Sequence, residues 1–549
     1  MEEKKTGLSI CAHFCAEVAQ CEKNTKKLFT FFIAYATIHA DRGKILLECG
    51  RILSVQKSGI LFGQKLFENL ISSLYSEPTL FEKKCGKAAK QKRRNPNMKK
   101  ALALVLAMMM MLGCIGIASA EDAKIKLVVW SFTPEFQGMI EKYYQPNHPE
   151  IEFVFDMTPT AQYPSKVDNL LGGETSRASD EAPDIFTLEA AFVKKYVNMS
   201  WTADLHDVGF TDEELATAIP VMAQIGQDAA GTPKGLSWQS TPGALFYRAS
   251  LAEKYLGVTT PEEFQEKVAD WDAFMDTAAE INEKSEGAIK MVCGAGDIWN
   301  AYQYNRQTGW VKDGKLVIDP ELYDYLDLCK TLEQDNLSNK GDAWGETWFN
   351  GMRNDTTLCY FLPTWGLHYT LKPNCGNGTD DTMDDETLKA TCEANGGTYG
   401  DWRMVAGPVG YSWGGTWVAA NAFKVAEADD AKKAAIKDII NFFTLDVDFL
   451  VQYAKDSGDF VGSTAAVQKI LDEGGTPNPF LGGQDHYKMF AEAAALANGS
   501  LMTEYDADIN TMWSDNVTTP YSKGEQDLDT CIANFKAAVA AAFTDIVVE

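Results

Sequence analysis

Short apolar runs alternate with amphipathic segments in the chain that follows residue 120. Residues 124–130 (KIKLVVW), 151–156 (IEFVFD) and 183–188 (PDIFTL) are rich in β-branched and aromatic residues, which predicts buried strands. Between them, 136–144 carries apolar residues on one helical face, and 162–171 ends at a pair of glycines, which predicts two helices. The order strand, helix, strand, helix, strand is typical of a parallel α/β sheet.

The carboxyl ends of the predicted strands supply the first candidates for a ligand site. Ligands of such sheets bind beyond the carboxyl ends of the strands. Phe132 and Glu135 follow the first strand, and Glu189 follows the third. Tyr163, at the start of the second helix, is a further candidate.

Residues 98–120 contain the three parts of a bacterial export signal. A methionine and two lysines precede an uncharged apolar run of twenty residues that closes on small side chains. Within this run the sequence MLGC resembles a bacterial lipobox, which implies lipidation of Cys114. Cleavage after Ala120 would instead release a protein that begins at Glu121, and retention of the run as one membrane helix is a third possibility. We therefore expect an exported protein: a lipoprotein on the outer face of the cytoplasmic membrane, or a periplasmic or secreted protein.

Residues 1–97 differ in composition from everything that follows. They carry 17 Lys and Arg against 9 Asp and Glu, and five of the twelve cysteines. Because a secretory signal normally begins at its own methionine, we expect translation to start at Met98. Residues 1–97 are then an upstream extension that is not part of the mature protein. The alternative is a basic cytosolic segment ahead of a signal anchor.

The exported part, residues 121–549, is strongly acidic. It contains 68 Asp and Glu against 31 Lys and Arg, a net charge of −37. This balance excludes nucleic acid as a partner, since phosphate binding depends on clustered basic residues. It also disfavours direct contact with anionic lipid, and it favours a soluble monomer. The 429 residues are sufficient for two lobes with separate cores.

Six cysteines follow the signal, an even number that permits disulfides outside the cell. Of the possible pairings we favour Cys375 with Cys392, because these two residues bracket a polar stretch that is typical of an inserted loop. The same part of the sequence contains no CxxC motif and no pair of histidines at zinc-binding spacing. The sequence therefore predicts neither a metal site nor a cofactor.

Four segments, taken in order, resemble a known protein family. They are PDIFTLE at 183–189, GLSWQSTPGALFYR at 235–248, LPTWGLHY at 362–369 and GPVGYSWGGTWVAAN at 407–421. Their succession resembles the extracellular solute-binding proteins of bacterial ABC sugar importers, the group that includes the maltose-binding protein. The resemblance extends from about residue 125 to about residue 543 and rests on the order of the motifs.

The resemblance implies an α/β fold of two lobes that close on a ligand like a hinged clamp, each lobe a mostly parallel sheet flanked by helices. The chain would cross between the lobes near Gln239–Gly243 and return near Gly407–Thr416, where glycine and proline are dense. The implied organisation is 121–240 in the first lobe, 241–406 in the second lobe, 407–480 back in the first lobe, and 481–549 as C-terminal helices that pack across the lobes.

A sugar site requires aromatic rings for the apolar face of the sugar and side chains that donate and accept hydrogen bonds for its hydroxyls. Trp365 matches the family segment that supplies a stacking aromatic, and Trp413 precedes Gly414 and Gly415 at the second crossing, where a ligand can approach the backbone. The further candidates that the resemblance implies are Trp238, Gln239, Trp299, Asp459 and Trp513.

The function that the resemblance implies is the binding of a sugar or oligosaccharide and its delivery to an ABC-type permease, without catalysis. One alternative is the same clamp with a peptide, polyamine or metal complex as ligand. Another is an exported glycoside hydrolase, although the sequence lacks an HExxH motif and a strand-end Asp/Glu signature.

Overall fold

Two sheets organise the chain from Lys124 to Glu549, which is the part that the computed structural model describes. The export signal, Cys114 and residues 1–97 lie outside these described residues. Within them, no helix combines the length and the apolar character that crossing a membrane requires. The main strands are β1 (Ile125–Ser131), β2 (Ile151–Met157), β3 (Ile185–Glu189), β4 (Gly235–Ser237), β5 (Gly243–Arg248), β6 (Cys359–Pro363), β7 (Trp402–Val405) and β8 (Thr416–Ala420).

The first lobe is built on a five-stranded sheet with the order β2-β1-β3-β8-β4. Strands β2 and β3 both pair parallel with β1, as the alternation of strands and helices predicts. Strand β8, which returns from the second lobe, pairs antiparallel with β3 and β4. The inner strand β3 is buried at four of its five positions, whereas the edge strand β2 is fully buried only at Ile151 and is partly or largely exposed at its other positions. The carboxyl ends of β1 and β3 therefore lie at the edge where the candidate ligand residues begin.

The second lobe is built on three strands in the order β6-β5-β7. Both pairs are antiparallel, so the expectation of a mostly parallel sheet is wrong for this lobe. All six residues of β5 are buried, because both faces of this sheet are covered. Leu245 and Tyr247 contribute to a core that includes the C-terminal helices, and Phe246 on the other face packs against Phe490. The two-lobed α/β class itself is confirmed.

Helices cover both sheets. Those of the first lobe are Glu135–Met139 with its π-helical extension Ile140–Tyr144, Tyr163–Leu171, Val193–Val197, Leu205–Val208, Asp212–Leu215, Pro220–Ile225, Ala422–Glu427, Asp430–Thr444, Val447–Ser457 and Thr464–Asp472. The second lobe contains Ala249–Leu251 with its extension Ala252–Leu256, Pro261–Lys267, Trp271–Lys284, Ala295–Ile298 followed by Trp299–Tyr302, Glu321–Gln334, Glu346–Arg353, Thr364–Gly366 with its extension Leu367–Leu371, Asp385–Asn395 and His486–Leu496. The C-terminal segment comprises Asp506–Trp513, Ser514–Thr518, Thr519–Ser522 and Leu528–Ala542.

Residues 479–497 do not form one continuous helix. Only the part from His486 to Leu496 is α-helical. The preceding Gly482 and Gly483 adopt φ values of 63° and 90°, in the left-handed region, and residues 477–485 form a short hairpin around them. A helix cannot run through two such residues, because right-handed helical φ is negative.

Two of the connections between the lobes are hydrogen bonded to each other. The Gly243 N–H donates to the Tyr411 carbonyl over 2.8 Å, and the Trp413 N–H donates to the Thr241 carbonyl over 3.0 Å. The Thr241 hydroxyl also donates to the Gly414 carbonyl over 2.8 Å. The outgoing segment 239–243 and the returning segment 407–416 thus lie side by side as a ribbon, which we call the crossing ribbon.

The favoured cysteine pair lies in the second lobe. The sulfur atoms of Cys375 and Cys392 are 3.5 Å apart, and both residues are buried. They are not bonded to each other in this structure, but no other protein group separates the two sulfurs at this distance. The disulfide therefore stays a prediction.

Candidate functional site

A cavity of about 430 Å³ lies where the two lobes meet. Its walls come from five separate segments of the chain: residues 189–191 at the end of β3, Ile225 in the helix Pro220–Ile225, residues 300–306 in the second lobe, residues 412–414 in the crossing ribbon, and residues 498–511 before and within the first C-terminal helix. Small-molecule sites typically occupy about 300–1,000 Å³, so this volume suits a compact ligand.

Trp413 is the aromatic residue of the crossing ribbon that lines the cavity. Its ring stands at 70° to that of Trp365, with 5.1 Å between the centroids. The Trp365 indole N–H donates to the Trp413 carbonyl over 2.9 Å, which fixes the ring of Trp365 against the ribbon. Both side chains are half-buried, so each retains free aromatic surface. Gly414, the next cavity residue, has a φ of 85° and approaches the Trp365 indole so closely that a side chain there would collide with it.

A third tryptophan joins this pair. The ring of Trp344 lies nearly parallel to that of Trp365, at an interplanar angle of 8° and a centroid distance of 6.0 Å. It also stands at 72° to Trp413, 6.2 Å away. Sequence reasoning missed Trp344, although it precedes Gly345 in a loop, and the same glycine-flanked pattern singled out Trp413.

The polar half of the cavity is formed by side chains that both donate and accept hydrogen bonds. Its members on the second lobe and the C-terminal segment include Asn300, Gln303, Tyr304, Asn498 and Asn510. Amide groups have two donors and one acceptor oxygen, and hydroxyl groups act as both donor and acceptor. Such a lining suits a ligand whose own groups both donate and accept hydrogen bonds.

Arg306 is the cation of the cavity lining and is nine-tenths buried. Its Nε donates to the Gln303 carbonyl over 3.0 Å, and its Nη2 lies 3.4 Å from the Asp506 carboxylate. Within Lys124–Glu549 its Nη1 has no hydrogen-bond partner. Burial raises the pKa of Asp506, and the Arg306 guanidinium opposes that rise. Because an unsatisfied buried donor is costly, this N–H is suited to an acceptor on a ligand.

Glu189 provides the acidic contribution of the first lobe. One carboxylate oxygen accepts the Ala191 N–H over 2.7 Å. Burial raises the pKa of this carboxyl group, while the backbone N–H groups of Ala191 and Ala190 oppose the rise. The structure places this predicted residue in the cavity wall together with Trp413 and Gly414.

The other candidates on the first-lobe edge lie outside the lining of this cavity. Phe132 packs edge-to-face on the fully buried ring of Tyr163, with 6.0 Å between the centroids. Glu135 accepts a hydrogen bond from the Tyr453 hydroxyl over 2.7 Å. Asp459 is buried, and burial together with the nearby Glu135 carboxylate raises its pKa.

Three of the candidate aromatics pack within the cores. Trp238 is fully buried and stacks on Phe136, with 5.4 Å between the centroids. Trp513 is 1% exposed and packs on Trp310. Trp299 is half-buried against Tyr325, and its neighbour Asn300 lines the cavity instead. The structure therefore leaves Trp238 and Trp513 no free surface for a ligand.

The two remaining candidates belong to the crossing ribbon and its continuation. Gln239 is buried, and its side-chain amide donates to the Thr416 hydroxyl over 3.3 Å. Gly415 is also buried, with a φ of 120°, and a side chain there would collide with Met222 and Trp417. Both residues therefore shape the backbone beside Trp413.

Comparison with solved structures identifies the fold. One similar structure is that of an extracellular solute-binding protein of family 1, which gives a TM-score of 0.63 at 17% identity, over 76% of this chain and 99% of that protein's chain. The sugar-binding protein MalE from Xanthomonas citri gives a TM-score of 0.58 at 14% identity, over 76% and 96% of the two chains. An ABC transporter-associated binding protein from B. animalis subsp. lactis Bl-04, in complex with β-1,6-galactobiose, gives 0.55 at 17% identity, over 76% and 97%.

No protein-family model matches this chain, and no curated protein sequence matches it. At these identities the likeness is one of fold. The described part of the chain has the two-lobed fold of the extracellular solute-binding proteins, as the order of the sequence motifs predicts.

Proposed function

We propose that this protein, which has the fold of the two-lobed solute-binding proteins, binds a sugar or oligosaccharide outside the cytoplasm and delivers it to an ABC-type permease. The observation that carries the proposal is the composition of the cavity wall. An indole ring from Trp413 stands in the same cavity as Glu189, Arg306 and several side-chain amides.

This combination fits the chemistry of a carbohydrate. A pyranose ring has an apolar face, which an indole ring can cover, and hydroxyl groups that donate and accept hydrogen bonds. The buried Arg306 Nη1 offers a donor without a protein partner, and the Glu189 carboxylate offers acceptors. A hydroxyl-bearing ligand can satisfy both kinds of group at once, whereas a purely cationic or purely apolar ligand would leave one of them unpaired.

The similar structures support the same class of ligand. One was determined in complex with β-1,6-galactobiose, and another in complex with cycloalternan. The proposed partners of this chain are therefore a carbohydrate and the membrane subunits of an importer. Export by residues 98–120 places the clamp on the outer side of the cytoplasmic membrane, through a lipid at Cys114 or as a free protein that begins at Glu121. Intact-mass measurement of the native protein distinguishes these two N-termini, the lipidated Cys114 and the free Glu121.

A thermal-shift screen against a glycan panel tests the binding function. A ligand that binds only the folded protein raises the free energy of unfolding by RT ln(1 + [L]/Kd), about 2.7 kcal/mol at a hundredfold excess over Kd. We expect at least one mono- or oligosaccharide to raise the melting temperature, and we expect polyamines and short peptides to leave it unchanged. A panel in which only the cationic or peptide ligands act would overturn the carbohydrate proposal.

Small-angle X-ray scattering tests the clamp. Because the two lobes are joined at the crossing ribbon, we expect a saturating sugar to reduce the radius of gyration through bending near 239–243 and 407–416. An unchanged radius at saturation would contradict the closing motion while leaving the binding function intact.

A further inference from the structure

Trp344 is exposed to an extent that packing does not explain. Its side chain is 52% exposed, whereas the neighbouring Trp348 is 2% exposed. The Trp344 ring nevertheless contacts three other indoles, those of Trp348, Trp365 and Trp413, at centroid distances of 5.1, 6.0 and 6.2 Å. A tryptophan that served the core alone would bury its second face, because an exposed indole forfeits most of its hydrophobic contribution.

The backbone that presents this ring is strained. Trp344 has a φ of 67°, in the left-handed region, where a large side chain is rare. Asn336 and Lys340 in the same segment also have φ values of 57°. Such conformations cost on the order of 1–3 kcal/mol each in general and tend to occur where a site needs them. The positive φ falls on Trp344 and not on the adjacent Gly345, which could adopt it without strain.

Trp344 lies next to the indole ring of the cavity wall, that of Trp413. Trp413 lines the cavity, and Trp344 is the ring beside it whose face remains open to solvent. Trp365 lies between packing partners on either side and donates its indole N–H to the ribbon, so it is held in place by protein groups. The result is one ring at the cavity and a second, exposed ring next to it.

We propose that Trp344 is a second aromatic subsite, which stacks on the sugar ring adjacent to the one held at Trp413. This inference rests on the proposed function and makes it more specific: the ligand is an oligosaccharide of two or more rings, and Trp344 determines the preference for chain length. Stacking on an open indole face needs no specific hydroxyl pattern, so the subsite selects for length more than for sugar identity.

The test measures calorimetric affinity for matched short and long carbohydrates. The probes are glucose with maltose and maltotriose, and galactose with β-1,6-galactobiose. We expect the unchanged protein to bind one of the oligosaccharides at least tenfold more tightly than its monosaccharide. Trp344→Ala should remove about tenfold of the oligosaccharide affinity, which corresponds to about 1.4 kcal/mol, and should change monosaccharide affinity less than twofold. Trp344→Phe should restore most of the loss.

Two controls separate the subsite from a structural role. Tyr323→Ala removes another aromatic ring that is 40% exposed, on the helix Glu321–Gln334, and should leave both affinities unchanged. The melting temperature of Trp344→Ala without ligand should stay within a few degrees of that of the unchanged protein. An equal loss for mono- and oligosaccharides, or no loss for either, would overturn the subsite while leaving the proposed function intact. Absence of carbohydrate binding by the unchanged protein would overturn the proposed function itself, and the subsite with it.

Discussion

Replacement of Trp413 by alanine should weaken ligand binding without unfolding the protein. The hydrogen bonds that hold Trp413 in the crossing ribbon are made by its backbone: its N–H donates to the Thr241 carbonyl, and its carbonyl accepts the Trp365 indole N–H. An alanine at this position keeps both bonds. The substitution therefore removes the half-buried indole ring and leaves the ribbon in place.

The expected magnitude follows from the exposure of the ring. Truncation of an aromatic anchor in a binding site commonly costs about 2 kcal/mol or more, and 1.4 kcal/mol is tenfold in affinity, so we expect about a 30-fold rise in Kd. Truncation of a fully buried tryptophan costs about 3–5 kcal/mol of folding stability instead. Trp513, which is 1% exposed and packed on Trp310 and Phe535, is the matched control for that outcome.

Two measurements on each variant decide between these outcomes. Calorimetry with the best ligand from the glycan panel gives the affinity, and thermal melting without ligand gives the stability. Trp413→Ala should lose affinity and keep most of its melting temperature, whereas Trp513→Ala should show the reverse. Trp365→Phe adds a third case, because it keeps an aromatic ring but leaves the Trp413 carbonyl without its donor, at a cost of about 1 kcal/mol of stability. If Trp413→Ala melts as early as Trp513→Ala, or binds as tightly as the unchanged protein, our assignment of Trp413 to the site is refuted.

Three further predictions concern stability. Burial raises the pKa of Asp297 to about 7 from 3.8, so this group stabilises the folded state below about pH 4, and that stabilisation is lost as the pH rises to 7. Asp297→Asn stays neutral, so its free energy of unfolding in urea should exceed that of the unchanged protein by an amount that grows from pH 4 to 7 and is constant above. A difference that does not depend on pH would contradict this prediction. Gly243→Ala places a methyl group against the ring of Tyr411 and should destabilise the protein by about 1–3 kcal/mol. An unchanged melting temperature would contradict this prediction, because it would mean that the crossing ribbon can shift to accommodate the methyl group. Cys375 and Cys392 should form a disulfide in the exported protein, which peptide mass mapping without reductant can show; free thiols in the native protein would contradict the pairing. A disulfide that closes this 17-residue separation stabilises the folded state by about 3 kcal/mol, so serine at both positions should lower the melting temperature.

The sequence predicts the first lobe better than the second because its signals there are local. The runs at 124–130, 151–156 and 183–188 become β1, β2 and β3 with bounds that differ by at most two residues, since short apolar runs rich in β-branched and aromatic residues favour burial in a sheet. The direction of β5 relative to β6 and β7 carries no local signal. Both faces of these strands are buried, and an apolar run looks the same in a parallel and in an antiparallel sheet.

The candidate site divides in the same way. Glu189 could be placed from topology, because the carboxyl end of a parallel strand has a known relation to the ligand edge. Trp413 could be placed from the glycines that follow it. Asn300, Arg306 and Asn510 could not, because the segment 300–306 and the C-terminal segment that carries Asn510 are far apart in sequence and meet at one wall only in the folded protein. Polar residues in short helices have no periodic pattern that separates a cavity wall from a solvated surface.

The crossing ribbon has a mechanical consequence for the way in which a ligand is captured. Because the outgoing and returning segments are hydrogen bonded to each other, we expect them to bend together in the proposed closing motion. Trp413 belongs to the crossing ribbon, and groups close to a hinge move least when a body turns about it. A ligand ring stacked on Trp413 would therefore keep its contact throughout closure of the lobes. Groups farther from the hinge, such as those on the second lobe and the C-terminal segment, would contact the ligand only when closure is complete. Capture would then proceed in two stages, with the indole as the fixed pivot of both.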